Sequence, residues 1–237
     1  MNNKIIKFPM NSQKKFMQDK KCDYKTLAIM TLYSNHTPIE HQHETGNYEP
    51  YRYLYRDKII EFTEEIEGLS KNKISTVLKN MKKLSTISDD FVLAYKNKNE
   101  KIYYVIRYCD DNDRQFVTID EDMLKYLVWS SNSNTIKTYI LIKYLCQHEK
   151  EKYNNNEKKI TNEYICEQIG LSPNSKNNLQ GIGIITDSLE NNGFINKRYV
   201  NCGGIKSVIY YSVNTHEEWI KIHQEKKKKC YRSVNEI

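Results

Sequence analysis

Two clusters of hydrogen-bonding side chains are the clearest carriers of chemistry in this chain. The first holds Lys71, Asn72, Lys73, Ser75, Thr76, Lys79, Asn80 and Lys83. The second holds Asn174, Ser175, Lys176, Asn177 and Asn178, with Gln180 just beyond. Lysine satisfies phosphates or the acceptors of guanine, and an amide side chain can pair with adenine through two hydrogen bonds. The first cluster is built for affinity. The second, richer in amides and poorer in charge, suits contacts to base edges. Further along each half, Lys96, Lys98 and Lys101, then Lys197, Arg198 and Lys206, could meet flanking phosphates. One such run is the ordinary composition of a solvated helix face. The case for DNA rests on finding the pattern twice, in the same context each time.

Other chemistries fit less well. His36, His41 and His43 lie near Glu40 and Glu44. Their spacing matches no closed zinc motif, and surface histidines are the simpler reading. His41-Gln42-His43 and Tyr139, followed by Lys143, mimic a metal-dependent nicking enzyme. The middle residue of the His pair is polar, however, and with 19 Tyr in the chain a chance match is expected. There is no phosphate-binding GxxxxGK[ST] loop, no GxSxG elbow and no HExxH. The carboxylates are dispersed. The expectation is therefore a non-enzyme with no catalytic residue, no metal and no cofactor. The six cysteines are scattered without a CxxC pair and read as free thiols.

Both clusters sit in the same local frame. Thr63 leads through a short amphipathic stretch to Gly68-Leu69-Ser70, and Thr161 does the same to Gly170-Leu171-Ser172. The threonines can cap a short helix, and a glycine can turn the chain left-handed at its end. The leucine then plugs the angle, and Ser70 or Ser172 can cap a second helix. Ile74, Val77, Leu78, Met81 and Leu84 mark the apolar face of one second helix. Leu179, Ile182, Ile185 and Leu189 mark that of the other. Gly181 and Gly183 weaken the latter and suggest a frayed start or close packing. Strand-like runs follow each second helix, 91–95 with 102–106 and 194–200 with 205–213, joined by Asn, Lys or Gly. First helices are expected from Asp23 to Tyr33, with Tyr24, Leu27, Ala28 and Leu32 on one side, and from Ser133 to Cys146.

The expected fold class is α+β, mostly helical, with two winged helix-turn-helix domains in tandem. Residues 1–20 read as a flexible N-terminal arm. Residues 21–109 read as the first domain, with an insertion at 34–57. Residues 110–115 read as an acidic linker, 116–214 as the second domain, and 215–237 as a fraying helix with a basic tail. Length and charge agree, since 237 residues make one or two domains. The net charge of +7 is uneven. Residues 1–109 hold 19 Lys+Arg against 13 Asp+Glu, and residues 110–237 hold 18 against 17. Heavy use of Lys, Asn, Ile and Tyr points to an A+T-rich genome. No apolar run could span a bilayer and no secretory leader is legible, so a cytoplasmic protein without a membrane partner is expected.

This arrangement resembles that of plasmid replication initiators, which carry two winged-helix domains in a chain of similar length. The likeness rests on the paired turns at Gly68-Leu69-Ser70 and Gly170-Leu171-Ser172 with their hairpins, over about residues 20–214. It implies double-stranded DNA as partner, at repeated origin sequences of a plasmid or phage. It also implies a homodimer formed through one winged helix, and host replication proteins as further partners. The alternatives are a transcriptional or copy-number regulator of a mobile element and a winged-helix module that docks proteins, with the nicking enzyme as the outsider.

Overall fold

The computed structural model describes residues 4–34, 40–41, 50–55, 92–96, 102–107, 115–201 and 207–235, with single positions between 59 and 87. The fold is α+β, mostly helical, with small antiparallel sheets. The chain divides into two compact units, residues 1–136 and 137–237.

The first unit opens with β1 (Ile5–Pro9) and α1 (Met10–Gln18), followed by α2 (Tyr24–Ser34). Then come β2 (Glu40–His41) and β3 (Pro50–Tyr55). Backbone at Ile59, Glu61 and Glu64 is helical, and so is that at Thr76, Lys79, Asn80, Met81, Lys83, Leu84, Thr86 and Ile87. Two strands follow, β4 (Val92–Lys96) and β5 (Ile102–Arg107), then β6 (Phe116–Asp120) and α3 (Glu121–Ser130). β2, β3, β5 and β4 form one antiparallel sheet in that order.

One expectation for this unit is corrected. Residues 1–20 are not a free arm, because β1 pairs antiparallel with β6, Lys7 opposite Thr118 at the centre. Alternation explains the pairing: Ile6 and Phe8 on one strand, Val117 and Ile119 on the other, are all fully buried. The backbone closes both ends of this ribbon alike. Met10 N–H donates to the Gln115 carbonyl at 2.8 Å, and Glu121 N–H donates to the Lys4 carbonyl at 3.0 Å. The stretch expected as an insertion, 34–57, holds β3, which pairs with β5 along its length.

α2 is the centre of the first unit. Its expected single apolar side gives way to burial nearly all round, from Tyr24 through Leu32 and Ser34. Thr31 is accommodated there by donating its hydroxyl to the Leu27 carbonyl at 2.9 Å. Asp23, just before α2, accepts from Thr26 Oγ1 at 2.8 Å, Ser133 Oγ at 2.6 Å and Asn80 Nδ2 at 2.5 Å.

α4 (Ser133–Tyr153) runs across the division between the units. The expected joint at 110–115 is therefore not where the chain divides. β6 lies beyond that stretch but belongs with β1, a pairing between segments about a hundred residues apart that no local pattern announces.

The second unit continues with β7 (Lys158–Lys159), α5 (Asn162–Gln168) and α6 (Lys176–Asn191). β8 (Ile195–Asn201), β9 (Ser207–Val213) and α7 (His216–Asn235) complete it. Its sheet has the order β7-β9-β8. Tyr139, Phe194, Ile182, Leu189 and Tyr211 lie in its core. α7 is anchored by Trp219, 8% exposed, whose ring lies 6.1 Å from that of Phe194. The expected fraying is corrected to a helix that runs on to Asn235.

The second unit has the order helix, strand, helix, helix, strand, strand, with β7 paired to β9 and β9 to β8; in the first unit β3 pairs with β5, which pairs with β4, and β2 flanks β3. A strand and a helix precede α2 and α4 alike, β1–α1 and β6–α3.

Candidate nucleic-acid interface

The turn between α5 and α6 is built by local chemistry. Thr161 caps α5, its hydroxyl accepting from Tyr164 N–H at 3.2 Å. Just past the C-cap Ile169, the chain turns away from α5 at Gly170, whose φ of 81° is open to glycine and strained for side chains. There Gly170 N–H donates to the Glu167 carbonyl at 3.2 Å and Leu171 N–H to the Cys166 carbonyl at 2.7 Å. These two bonds form a Schellman motif, which satisfies carbonyls a helix end would leave open.

α6 starts later than its sequence suggests. Ser175, not Ser172, is its N-cap, accepting from Asn178 N–H at 3.4 Å. Ser172 instead offers its carbonyl to the Asn178 amide at 3.0 Å. The Asn178 donor group therefore braces the turn, a correction to its expected role at a base. Asn162 donates to the Leu179 carbonyl at 3.3 Å and ties α5 to α6.

α6 is continuous through both glycines, so the expected frayed start is not found. Ile182, Thr186 and Leu189 face the core, while Leu179 and Ile185 are half-buried. On the opposite face Lys176, Asn177 and Gln180 are exposed, as is Asn174 in the turn. Ile184 also lies there, 69% exposed. At Gly181 a Cβ would meet nothing within 4 Å.

Two expected phosphate contacts have other partners. Lys197, on β8, has a side chain only 2% exposed and pairs with Asp187 and Glu190 of α6. Burial alone would lower its pKa, but the bonds to Asp187 and Tyr199 and the charge of Glu190 raise it above the ordinary lysine value. Arg198 pairs with Glu157 and lies 4.8 Å from the centre of the Tyr210 ring. The bond from Arg198 holds the Glu157 carboxyl below its ordinary value, and the same bond raises Arg198. These cations fasten the hairpin to the body of the unit. Lys206 lies outside the described residues.

In the first unit Thr76, Lys79 and Lys83 are exposed on the opposite side from Met81 and Leu84, which are buried. Asn80 turns toward Asp23 and is not presented outward, which corrects its expected role. Lys96 closes the β4–β5 ladder opposite Ile102. Lys71, Asn72, Lys73, Ser75, Lys98 and Lys101 lie outside the described residues, as does the turn at Gly68.

The nicking assignment fails on access. Tyr139 is fully buried, its ring edge-on to Phe194 at 5.0 Å, where no phosphodiester can reach it. His41 lies in β2, and His36 and His43 fall outside the described residues. Among the described residues no group of His, Cys, Asp and Glu is placed to hold a metal, and no helix is long and apolar enough to cross a membrane.

Compared with known protein families and with curated proteins, the chain finds no match in either.

Sequence reasoning overlooked Ile184 and misread Gly181. The signal was present in the run Gly181-Ile182-Gly183-Ile184-Ile185. Ile184 falls outside the three- and four-residue spacing of Leu179, Ile182, Thr186 and Leu189, so helical geometry alone puts it on the far face.

Proposed function

We propose that the chain is a double-stranded DNA-binding protein made of two winged helix-turn-helix units, and that it acts in initiating replication of a plasmid or phage at repeated sites. The observation that carries this is a strand connectivity shared by the two units: β7 pairs with β9 and β9 with β8 after α4, and β3 pairs with β5 and β5 with β4 after α2. The second helix of such a turn is the element that enters the major groove in helix-turn-helix proteins. α6 is suited to it, with a capped N-terminus and exposed Lys176, Asn177 and Gln180 in its first turns. The exposed Lys79 and Lys83 offer the first unit charge for phosphates. Two reading units in one chain suit a site of repeated or paired elements. The role in replication rests on the architectural likeness and on the A+T-rich composition.

A gel-shift titration over several salt concentrations tests the reading. The expected result is tighter binding to a short duplex from the DNA flanking its own coding region than to random duplex, with affinity falling as salt rises. Equal affinity for both duplexes, or no dependence on salt, would overturn it.

A further inference from the structure

The exposed face of α6 carries a feature that solvation does not explain. Asn177, Gly181, Ile184 and Ser188 follow one another at helical spacing and form a stripe opposite the buried Ile182, Thr186 and Leu189. At its centre stands Ile184, 69% exposed. Beside it, Gly181 lowers helix propensity without a packing reason, because a Cβ there would meet nothing within 4 Å. An apolar side chain next to a bare stretch of backbone on a solvent face fits a surface that comes close from outside. Asp187 and Glu190, which would repel DNA at the far end of the helix, are engaged by Lys197.

We infer that this stripe reads A·T base pairs in the major groove, with Ile184 seated on the 5-methyl group of a thymine and Gly181 giving the groove its close approach. The inference rests on the DNA-binding reading above. Thymine is the base that presents an apolar group in the major groove, and apolar side chains recognise it there. Gln180 and Asn177, about one and two turns from Ile184 toward the N-terminus, carry the amides that pair with the N6 and N7 edge of adenine. A protein partner could also cover one exposed isoleucine. The flanking amides, with no second large apolar residue on the stripe, favour the groove.

The test uses the full chain and a duplex enriched by it from a random-sequence pool. Each thymine is replaced in turn by deoxyuridine, which lacks only the methyl group. At one thymine the native protein should lose about fourfold in affinity, the worth of one methyl group taken out of water. Ile184→Ala should bind the thymine and uracil duplexes equally, and Ile184→Val should keep part of the discrimination. Gly181→Leu should weaken binding to the enriched duplex while leaving the circular dichroism unchanged. Salt-dependent binding with indifference to every thymine replacement would overturn this inference and leave the DNA reading standing. Salt-dependent binding that enriches no sequence would overturn this inference and the reading above together. A lack of salt-dependent binding altogether would overturn both.

Discussion

A side chain on Gly193 would begin 3.0 Å from Cγ2 of Ile222, so α7 is packed directly onto the backbone that ends α6. Gly193 has φ +72°, and it closes α6 by donating to the Glu190 carbonyl while Phe194 N–H donates to that of Leu189, both at 2.9 Å. The Asn214 amide adds a third tie, donating to the Gly193 carbonyl at 2.9 Å.

Gly193→Ala should therefore be costly twice over, through its left-handed backbone and through the contact with Ile222. A loss of about 1–3 kcal/mol is expected in urea unfolding. Ile222→Ala in the same background should recover part of it by making room. No recovery would mean that backbone strain alone sets the cost.

Gly181→Ala should act in the opposite direction on stability. The helix is continuous and the space is open, so alanine should raise stability by about 0.5–1 kcal/mol. An unchanged or lower melting temperature would show that the backbone at Gly181 needs the freedom of glycine.

Lys197→Met should cost about 1–2 kcal/mol near neutral pH, mostly through the lost ion pairs and the altered packing of the buried stem. The figure is modest because Asp187, 61% exposed, can be solvated by water once its partner is gone. The sign with pH follows from the raised lysine pKa. The native protein holds this contribution below the ordinary lysine range and loses it as pH rises through the folded-state value. The difference between native and variant in thermal melts should thus shrink only at strongly alkaline pH. Glu157 behaves oppositely. Its lowered pKa gives stability above the ordinary glutamate range that fades as pH falls through the folded value.

Cys146 should resist alkylation in the folded protein. It is buried, its thiol donates to the Tyr211 carbonyl at 3.2 Å, and burial pushes its pKa up to about 12. Since the thiolate is the reactive form, peptide mapping after iodoacetamide at pH 8 should find it unmodified until denaturant is added. Cys166, also buried and raised by burial, should follow it. Modification at the rate of a free thiol would contradict the packing of α4 against β9.

Lys79→Ala and Lys83→Ala should each weaken DNA binding about equally on all sequences and reduce the salt slope by about 1 if each meets one phosphate. Lys197→Met and Arg198→Ala should leave that slope nearly unchanged, because both cations have intramolecular partners.

The local chemistry of the second unit was legible in the sequence. Thr161 as a cap, Gly170 as a left-handed turn, and the hairpin of β8 and β9 follow from residue types and spacing that act over a few positions. The α6 cap was misplaced by three residues because Ser172 and Ser175 offer the same oxygen, and only the path of the turn chooses between them. The partners of Lys197 and Arg198 were not legible either. Glu157 lies 41 residues from Arg198, and a surface lysine and a buried one look alike in a sequence. β3 was hidden for another reason: its Tyr and Arg residues give no apolar alternation, and its pairing partner comes about fifty residues later.

The β1–β6 ribbon also has a consequence in time. Residues 5–9 leave the ribosome well before the segment that completes their hydrogen bonds, residues 116–120. At a synthesis rate of about 5–20 residues per second, Ile6 and Phe8 wait roughly 5–20 s for Val117 and Ile119. The first unit cannot close as it emerges. During that interval its founding strand is an open edge, the state in which a nascent chain depends most on being kept apart from its neighbours.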